Sequence, residues 1–413
     1  MPELVSSSIV LPDDARTIVR RRLKIAPDAP IRIAFVAGPG DVVGTFDHWK
    51  RGEHDTRTPV IAYSSMFYSV VDALGAEALV LAEHDRQPEV QDPRFSFVHT
   101  PRRRGRRGIG YRLDERAFAK TVLAQIRRYK PDVVLFGTDA PVALVAGLPK
   151  SARKVLTAHN ALWAMGRRPT SLRARLRLWS RARVLRRAHS AVSTSEECAV
   201  QVAEIGGPAG AQSFVEIPQI LPEFFPAAPA PASPPRRLLF LGRIEANKGV
   251  FDLLAAFAAV AADHPDLRLD LAGTGSADAA LSAEVARLDV ADRITMHGLL
   301  NARGVHDRLH EADLLICPTR SDFAEGLALV VLEAAVHGVP SLLSSVVPAK
   351  GLLPGACAEF PADDVPAFTA ALRLLVEHPS HHAQLCANVL KRREICRDRS
   401  RSWGTMFYHA LVA

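Results

Sequence analysis

Short apolar segments alternate with longer helix-like segments along most of this chain, and the alternation occurs twice. In the first half the apolar segments include IRIAFVA at 31–37 and KVLTAHN at 154–160. In the second half they include RLLFLGR at 237–243 and DLLICP at 313–318. Such alternation is typical of a parallel sheet covered by helices. We therefore predict an α/β fold of two doubly wound halves, with a ligand cleft at the carboxyl ends of the strands.

A proline- and alanine-rich segment separates the two halves. Residues 217–237, IPQILPEFFPAAPAPASPPRR, contain seven prolines, a composition that suits an extended linker. A chain of 413 residues fits two domains of about 200 residues each. We expect an N-terminal extension at 1–30, a first domain at 31–217, a linker at 218–236, a second domain at 237–395 and a final helical segment at 396–413.

Composition excludes several classes of protein. Apolar residues make up 48% and charged residues 23% of the chain, as in soluble globular proteins. The longest apolar runs, of about ten residues, are shorter than the roughly 20 that a membrane-spanning helix needs. The N-terminus lacks the pattern of a secretory signal. The five cysteines are scattered and suggest neither disulfides nor a metal site, so we expect a cytoplasmic protein.

Residues 317–345, CPTRSDFAEGLALVVLEAAVHGVPSLLSS, carry the first candidate site. We predict that a helix begins at Glu325-Gly326 and ends before Gly338 and Pro340. Glu333 is the one charge inside this apolar helix, and a carboxylate there can accept hydrogen bonds from ribose hydroxyls. The first N–H groups of the helix, from Gly326, Leu327, Ala328 and Leu329, could bind an anion. A solvated Glu333 on a half-buried surface helix is the alternative interpretation.

A second candidate site lies about 80 residues earlier, in LGRIEANKGV at 241–250. Gly242-Arg243 follows an apolar strand, and Lys248-Gly249 precedes a helix-like segment. Two cations near a helix N-terminus suit a diphosphate and would stabilise the charge that develops when a sugar departs. Two surface cations beside a turn are the alternative for this segment alone.

Both segments together resemble the retaining GT-B glycosyltransferases of glycosyltransferase family 4. Glu325 and Glu333 match that family's E-x7-E segment, although its usual second glycine is Ala328 here, and Gly242 to Gly249 match its G-R-x-x-x-x-K-G segment. The resemblance covers roughly residues 31–413. It implies that Arg243 and Lys248 bind the pyrophosphate, Glu325 contacts the donor sugar and Glu333 contacts the ribose. It also implies donor contacts from the residues of LAGTGS and MHGLL: Gly273, Gly275, Gly298 and Leu299.

The first half supplies further candidates. His159 ends a strand, and the resemblance places such a histidine beside the donor sugar as a polar contact; a structural histidine is the alternative. Asp139 could orient an acceptor hydroxyl or cap a helix. Gly38, Gly40 and Gly44 follow the first strand, where they could bring backbone close to the acceptor or a phosphate or form an ordinary turn.

Two arginine-rich segments have other possible partners. Residues 167–187 contain nine arginines and no acid, so a helix there could contact an anionic membrane on its inner face or lie solvated beside the cleft. Residues 101–112, PRRRGRRGIGYR, are also basic. No helix-turn-helix, zinc-finger or RNA-stacking signature accompanies them, so we expect no nucleic-acid partner.

These features predict a retaining, metal-independent glycosyltransferase. The co-substrate would be a nucleoside-diphosphate sugar, with UDP favoured over GDP and dTDP, and no cofactor or metal would be required. A saccharide, a lipid-linked carrier and a natural product all remain open as the hydroxyl acceptor. The alternatives are an epimerase or hydrolase of the same fold, or a catalytically silent partner that binds sugar nucleotides.

Overall fold

Two parallel β-sheets organise the protein. The computed structural model describes residues 8–55, 59–103, 105–226 and 234–413. Part of the predicted extension (residues 1–7) and part of the predicted linker (residues 227–233) lie outside the described residues.

The N-terminal domain is built on a seven-stranded sheet. Its strands are β1 (Arg32–Val36), β2 (Glu77–Ala82), β3 (Phe95–His99), β4 (Val133–Gly137), β5 (Arg153–Ala158), β6 (Ser190–Ser193) and β7 (Ser213–Val215). They lie in the order β3-β2-β1-β4-β5-β6-β7, and every neighbouring pair is parallel. The helices are α1 (Ala15–Leu23), α2 (Val42–Arg51), α3 (Tyr63–Ala73), α4 (Gly108–Tyr129), α5 (Val142–Gly147), α6 (Leu172–Leu185), α7 (Glu196–Gly206) and α8 (Pro208–Ala211).

The C-terminal domain repeats the design with six strands: β8 (Arg237–Leu241), β9 (Arg268–Ala272), β10 (Ile294–Gly298), β11 (Leu314–Cys317), β12 (Ser341–Ser344) and β13 (Cys357–Phe360). Their order is β10-β9-β8-β11-β12-β13, again all parallel. The helices are α9 (Val250–Ala261), α10 (Asp278–Val285), α11 (Ala302–Glu311), α12 (Leu329–Val336), α13 (Val365–Glu377), α14 (Pro379–Arg392) and α15 (Trp403–Val412). Short 3-10 turns occur at Pro222–Phe224, Ala246–Lys248, Ala291–Arg293, Pro348–Leu352, Arg393–Arg397 and Arg399–Arg401.

Each sheet has a hydrophobic core on both faces. Successive residues of β1 alternate, with Ile33 and Phe35 in one cluster and Ala34 and Val36 in the other. In β8, Leu238 and Leu239 divide in the same way between the two C-terminal clusters. Side chains of a strand point alternately to the two faces, so a strand covered by helices on both faces must be apolar throughout. The prediction of an α/β fold with two doubly wound halves is confirmed.

The last helix, α15, packs on the N-terminal domain, although the helices just before it belong to the C-terminal domain. Trp403 and Phe407 of α15 are fully buried in the core of the N-terminal domain. Ser190 of β6 donates a hydrogen bond to the Ala410 carbonyl at 2.7 Å, and the Trp403 indole N–H donates to Thr157 at 3.3 Å. The chain therefore crosses between the domains a second time near its end.

Candidate active site

The carboxyl ends of the central strands in both sheets face one another across a cleft. His159 directly follows β5, Gly242 follows β8, and Pro318 follows β11. The domains touch at this point, because a Cβ atom added to Gly326 would lie 2.8 Å from the His159 carbonyl oxygen. The Ser195 hydroxyl, at the start of α7, donates a hydrogen bond to the Gly326 carbonyl at 2.6 Å. The candidate residues of the two halves therefore lie in one site.

Arg243 and Lys248 converge on a residue that the sequence did not single out, Phe323. The Arg243 guanidinium lies 5.5 Å and the Lys248 ammonium 4.1 Å from the centroid of the Phe323 ring. A cation near the face of an aromatic ring is stabilised by the negative potential of that face. Both cations of the 241–250 segment therefore lie beside the Phe323 ring.

Each cation also has an acidic neighbour. Lys248 donates to Glu325 Oε2 at 2.5 Å, and both side chains are mostly buried. Thr319 Oγ1 donates to the same carboxylate oxygen at 3.2 Å. Arg243 is 57% exposed and pairs with Glu245 at 2.7 Å. Because exposed ion pairs contribute little free energy, Arg243 can exchange Glu245 for a ligand more readily than Lys248 can exchange Glu325.

Two glycines allow the loops of the site to come close together. A side chain at Gly249, whose φ is +74°, would collide with the Pro318 carbonyl. A side chain at Gly273, whose φ is +135°, would collide with the Gly242 carbonyl. Gly249 and the predicted donor residue Gly273 are thus positions where only glycine fits.

The predicted start of the Glu333 helix is wrong. Helix α12 begins at Leu329, not at Glu325, and Glu325 to Ala328 form a loop. Ala328 caps the helix with φ +66° and ψ +70°, in the left-handed region. The first N–H groups available to an anion are therefore those of Leu329 and the residues after it, rather than those of Gly326 and Leu327.

Glu333 lies one helical turn into α12 and is only half-buried. Burial among apolar neighbours raises the pKa of its carboxyl to about 7. The imidazole of His337 donates to the Glu333 backbone carbonyl at 2.8 Å, and its other nitrogen contacts His306 at 2.8 Å. A ribose diol would supply hydrogen bonds that favour the charged form of the carboxylate.

The remaining donor candidates lie at the ends of β9 and β10. The Gly275 N–H donates to Asp278 at 3.0 Å, and the Gly273 N–H donates to the Gly298 carbonyl at 2.8 Å. Gly298 ends β10, and the next side chain, Leu299, is 80% exposed. Gly273 and Gly298 thus lie on neighbouring strand ends of the same sheet as Gly242.

His159 is held as a neutral ring. It stacks on Tyr63 with 4.3 Å between ring centroids, and its Nε2 lies 2.8 Å from Thr157 Oγ1. Burial lowers its pKa to about 4. At neutral pH the imidazole can donate or accept one hydrogen bond, but it carries no charge.

The other N-terminal candidates lie differently from the predictions. Gly38 and Gly40 are in the loop after β1, but Gly44 is inside α2, where its N–H donates to the Asp41 cap at 2.8 Å. The helix after Asp139 is capped by Pro141, so Asp139 is not a helix cap. Its carboxylate instead pairs with Arg102 at 2.7 Å.

A buried polar group beneath His159 was missed by the sequence analysis. Glu216, after β7, is fully buried and accepts hydrogen bonds from Tyr63 at 3.0 Å and Thr194 at 2.8 Å. Burial raises its pKa to about 7. The only signal in the sequence was one acid in the apolar stretch SFVEIP. Among the described residues, no three histidine, cysteine or acidic side chains are grouped as a metal site.

Two family descriptions match the chain on these two domains. Residues 61–217 match the glycosyl transferase 4-like domain, and residues 235–378 match the glycosyl transferases group 1. The chain belongs to the group 1 glycosyltransferases, with the GT-B fold. In this glycosyltransferase the second match includes Arg243, Lys248, Glu325 and Glu333, and the first includes His159.

Relatives of this glycosyltransferase share part of its length. It is 29% identical over 216 residues to glycogen synthase of Mycobacterium tuberculosis, with 51% of this chain and 50% of the relative covered. It is 28% identical over 264 residues to the GDP-mannose-dependent monoacylated alpha-(1-6)-phosphatidylinositol monomannoside mannosyltransferase of Corynebacterium glutamicum, with 55% and 64% covered. The chain thus spans about half to two thirds of the length of these curated relatives.

Solved structures share the fold at low sequence identity. Sucrose-phosphate synthase of Thermosynechococcus elongatus superposes with a TM-score of 0.66 at 17% identity, covering 91% of this chain and 96% of that one. HepE of Anabaena in complex with UDP superposes with a TM-score of 0.62 at 14% identity, covering 92% and 97%. These likenesses establish the two-domain GT-B architecture.

Proposed function

We propose that this protein is a retaining, metal-independent glycosyltransferase that moves a sugar from a nucleoside-diphosphate sugar to an acceptor hydroxyl. One observation carries the proposal. The Arg243 guanidinium and the Lys248 ammonium both lie within 5.5 Å of the Phe323 ring centroid, beside Glu325, where the C-terminal domain faces His159. Two fixed cations at this edge can balance a diphosphate and the charge it gains on departure.

The donor would lie on the C-terminal domain. Its diphosphate would take the two cations together with the first N–H groups of α12. Glu333 would accept the ribose hydroxyls, and Glu325 would contact the sugar while it orients Lys248. The backbone of Gly298 and Leu299 would face the nucleobase, and no residue among these requires a metal ion.

The reaction needs no protein base in this arrangement. The acceptor oxygen forms a bond to the sugar C1 on the face from which the diphosphate leaves, and the C1–O bond to the phosphate breaks. The acceptor proton passes to the departing phosphate oxygen. Neutral His159 contributes a hydrogen bond to the sugar, and closure of the two domains excludes water, which would otherwise hydrolyse the donor.

UDP is the favoured nucleotide. The solved HepE structure of the same fold holds UDP, whereas the Corynebacterium glutamicum relative is named as GDP-mannose-dependent. We place the reaction in the cytoplasm, since all five cysteines are free thiols.

A thermal-shift screen tests the proposal. Purified protein is heated with UDP-, GDP-, dTDP- and ADP-sugars in EDTA and then with magnesium. A ligand that binds the native state raises the melting temperature by mass action, so we expect one nucleotide class to do so in EDTA. No shift with any of the four would contradict the proposal, and a shift only with magnesium would contradict metal independence.

A comparison of the wild type with Arg243→Ala distinguishes an enzyme from a catalytically silent protein that only binds the donor. We expect the wild type to release nucleoside diphosphate slowly from its donor and the variant to lose this release while its fold, by circular dichroism, is unchanged. A wild type that binds the donor without any release, even after acceptors have been supplied, would favour the silent partner.

A further inference from the structure

Helix α6 presents apolar side chains to solvent. Leu172 is 74% exposed, Leu176 57% and Trp179 55%. Residues spaced by four and three positions lie on one face of a helix, so these three form an outward stripe. Another side of α6 is apolar as well, because Leu185 is buried in the domain core and Leu178 packs against that core. The apolar residues of α6 therefore divide between a core side and a solvent side.

Arginines accompany the outward stripe. Helix α6 contains five arginines and no acid: Arg173, Arg175, Arg177, Arg181 and Arg183. At about 100° per residue, Arg173 and Arg175 lie to either side of the stripe, whereas Arg183 lies in line with it, 3.6 Å from the centroid of the Trp179 ring. Arg181 is on the domain side, where it donates to the Thr138 carbonyl at 2.8 Å. Apolar and arginine side chains together on one exposed side of a helix are the pattern of helices that lie in the interface of an anionic bilayer.

The start of α4 also presents apolar side chains to solvent. Ile109 is 77% and Leu113 56% exposed, four residues apart on the first turns of this helix. Tyr111 and Arg112 of α4 line one groove with Arg177 and Arg183 of α6, and this groove, which also contains Glu115, reaches Asp139 at the carboxyl edge of the N-terminal sheet. The basic groove thus runs beside α6 to the end of β4, the strand next to the one that His159 follows.

We propose that the surface formed by Leu172, Leu176 and Trp179, here called the docking face, inserts into a bilayer that contains anionic lipid. The exposed arginines of α6, together with Arg112 of α4, would bind lipid phosphates while the apolar side chains enter the acyl boundary. A protein partner would need acidic groups to match these arginines and an apolar centre to match the stripe; an anionic bilayer offers both everywhere on its surface.

Docking would also define the acceptor, if the proposed glycosyl transfer holds. With the docking face in the headgroup layer, the basic groove opens on the lipid surface and leads towards the cleft. The acceptor hydroxyl would then belong to a membrane lipid with an anionic headgroup. Among the described residues no helix is long and apolar enough to span a bilayer.

Vesicle flotation tests the docking face. The full chain is floated with vesicles of phosphatidylcholine alone and with vesicles that also contain phosphatidylglycerol. We expect binding only to the anionic vesicles, weaker in high salt, and at least about tenfold weaker in Leu176→Ser/Trp179→Ser, because two apolar side chains lose their burial. Leu374→Ser, on α13 of the other domain and also exposed at 43%, is the matched control and should bind like the wild type.

Tryptophan fluorescence reports insertion directly. Of the four tryptophans, Trp163 and Trp403 are buried and Trp49 is half-buried, whereas Trp179 is exposed. We expect brominated phosphatidylglycerol to quench the wild type and to have little effect on Trp179→Phe.

The proposal would be overturned if the wild type floated equally well with neutral and anionic vesicles, or with neither. Full binding of anionic vesicles by Leu176→Ser/Trp179→Ser would also overturn it. The thermal shift of the same variants with the donor nucleotide distinguishes a failure of membrane docking from a failure of the proposed glycosyl transfer. A variant that loses vesicle binding but keeps its nucleotide shift supports docking. A wild type that shifts with nucleotide but never binds vesicles overturns docking and leaves glycosyl transfer standing.

Discussion

Phe323 is the residue that both cations of the proposed diphosphate site contact. Arg243 precedes a 3-10 turn and Lys248 ends it, and without a shared surface two like charges would move apart. The Phe323 ring offers that surface, 5.5 Å from one cation and 4.1 Å from the other. The sequence could not reveal this role, because a phenylalanine in a loop looks like any partly buried apolar residue.

Phe323→Leu should weaken donor binding while leaving the fold intact. Leucine keeps the apolar volume but removes the cation–π attraction, which contributes about 0.5–2 kcal/mol, so we expect roughly tenfold weaker binding of nucleoside diphosphate by calorimetric titration. Phe225→Leu is the matched control, because Phe225 lies under Arg397 at 3.7 Å, away from the site. Unchanged affinity in Phe323→Leu would mean that the ring is not needed to hold the cations.

Glu216 makes stability depend on pH. Its pKa is raised by burial from 4.5 to about 7, so between these values the unfolded chain loses a proton that the native state keeps. Its contribution to folding is therefore fully present below about pH 4.5 and is lost as the pH rises through about 7.

Glu216→Gln should remove this loss of folding stability at rising pH. Glutamine can still accept from Tyr63 and Thr194 but carries no titrating proton. We expect the free energy of unfolding of the wild type to fall, relative to the variant, by up to about 3 kcal/mol between pH 5 and pH 8, measured by urea titration. Glu204→Gln, a surface carboxylate near Arg168, should keep the wild-type pH dependence. A parallel pH dependence in wild type and Glu216→Gln would contradict a raised pKa.

Among the secondary-structure elements, the strands could be predicted from the sequence, whereas the start of helix α12 could not. Strands such as β1 and β8 are apolar on both faces, so their composition alone identified them. The start of α12 was misplaced by four residues, because Glu325, Leu327 and Ala328 are good helix formers and no proline lies among them. What holds them out of the helix is tertiary: the Glu325 contact with Lys248 and the Gly326 contact with Ser195.

Ala328 provides a test of this boundary. A left-handed residue strains any side chain by roughly 1–2 kcal/mol, and a β-branched one more. We expect Ala328→Val to lower the urea midpoint and Ala328→Gly to leave it unchanged or raise it. If valine were tolerated as well as glycine, the left-handed helix start would be wrong.

A helix within residues 167–187 was considered from the sequence and occurs as α6, but the sequence did not show which of its apolar residues face solvent. Its apolar residues belong to two faces, one in the core and one in solvent, so they do not produce the single stripe that sequence periodicity detects. Only the exposed fractions of Leu172, Leu176 and Trp179 separate the two sets.

For the molecule as a whole, the contact between the two domains could not be predicted from any single segment of the sequence. The Ser195 hydroxyl accepts from the Cys198 N–H as the cap of α7 and donates to the Gly326 carbonyl of the other domain. This one side chain therefore links the N-terminal domain to the loop that carries Glu325. The family resemblance predicted candidate residues in both domains, but it did not predict that the Ser195 hydroxyl would link the two domains.

Ser195→Ala should reduce kcat/KM for the donor by about fivefold, because a hydrogen bond across the closed cleft contributes roughly 1 kcal/mol. Ser171→Ala is the matched control, because Ser171 caps α6 through the Ala174 N–H at 3.4 Å, a hydrogen bond within the N-terminal domain. Equal activity losses in the two variants would assign the effect to helix capping rather than to domain closure.

The central claim is that Arg243 and its neighbours bind a nucleoside diphosphate without a metal. Calorimetric titration of UDP into the purified protein in EDTA tests it most directly, with Arg243→Ala compared to Arg236→Ala, a surface arginine of the same domain that pairs with Asp266. The account predicts binding by the wild type and by Arg236→Ala, and at least tenfold weaker binding by Arg243→Ala, since a charge-assisted contact contributes about 1.5–3 kcal/mol. Equal binding by all three proteins, or no binding of UDP, GDP, dTDP or ADP by the wild type, would contradict it.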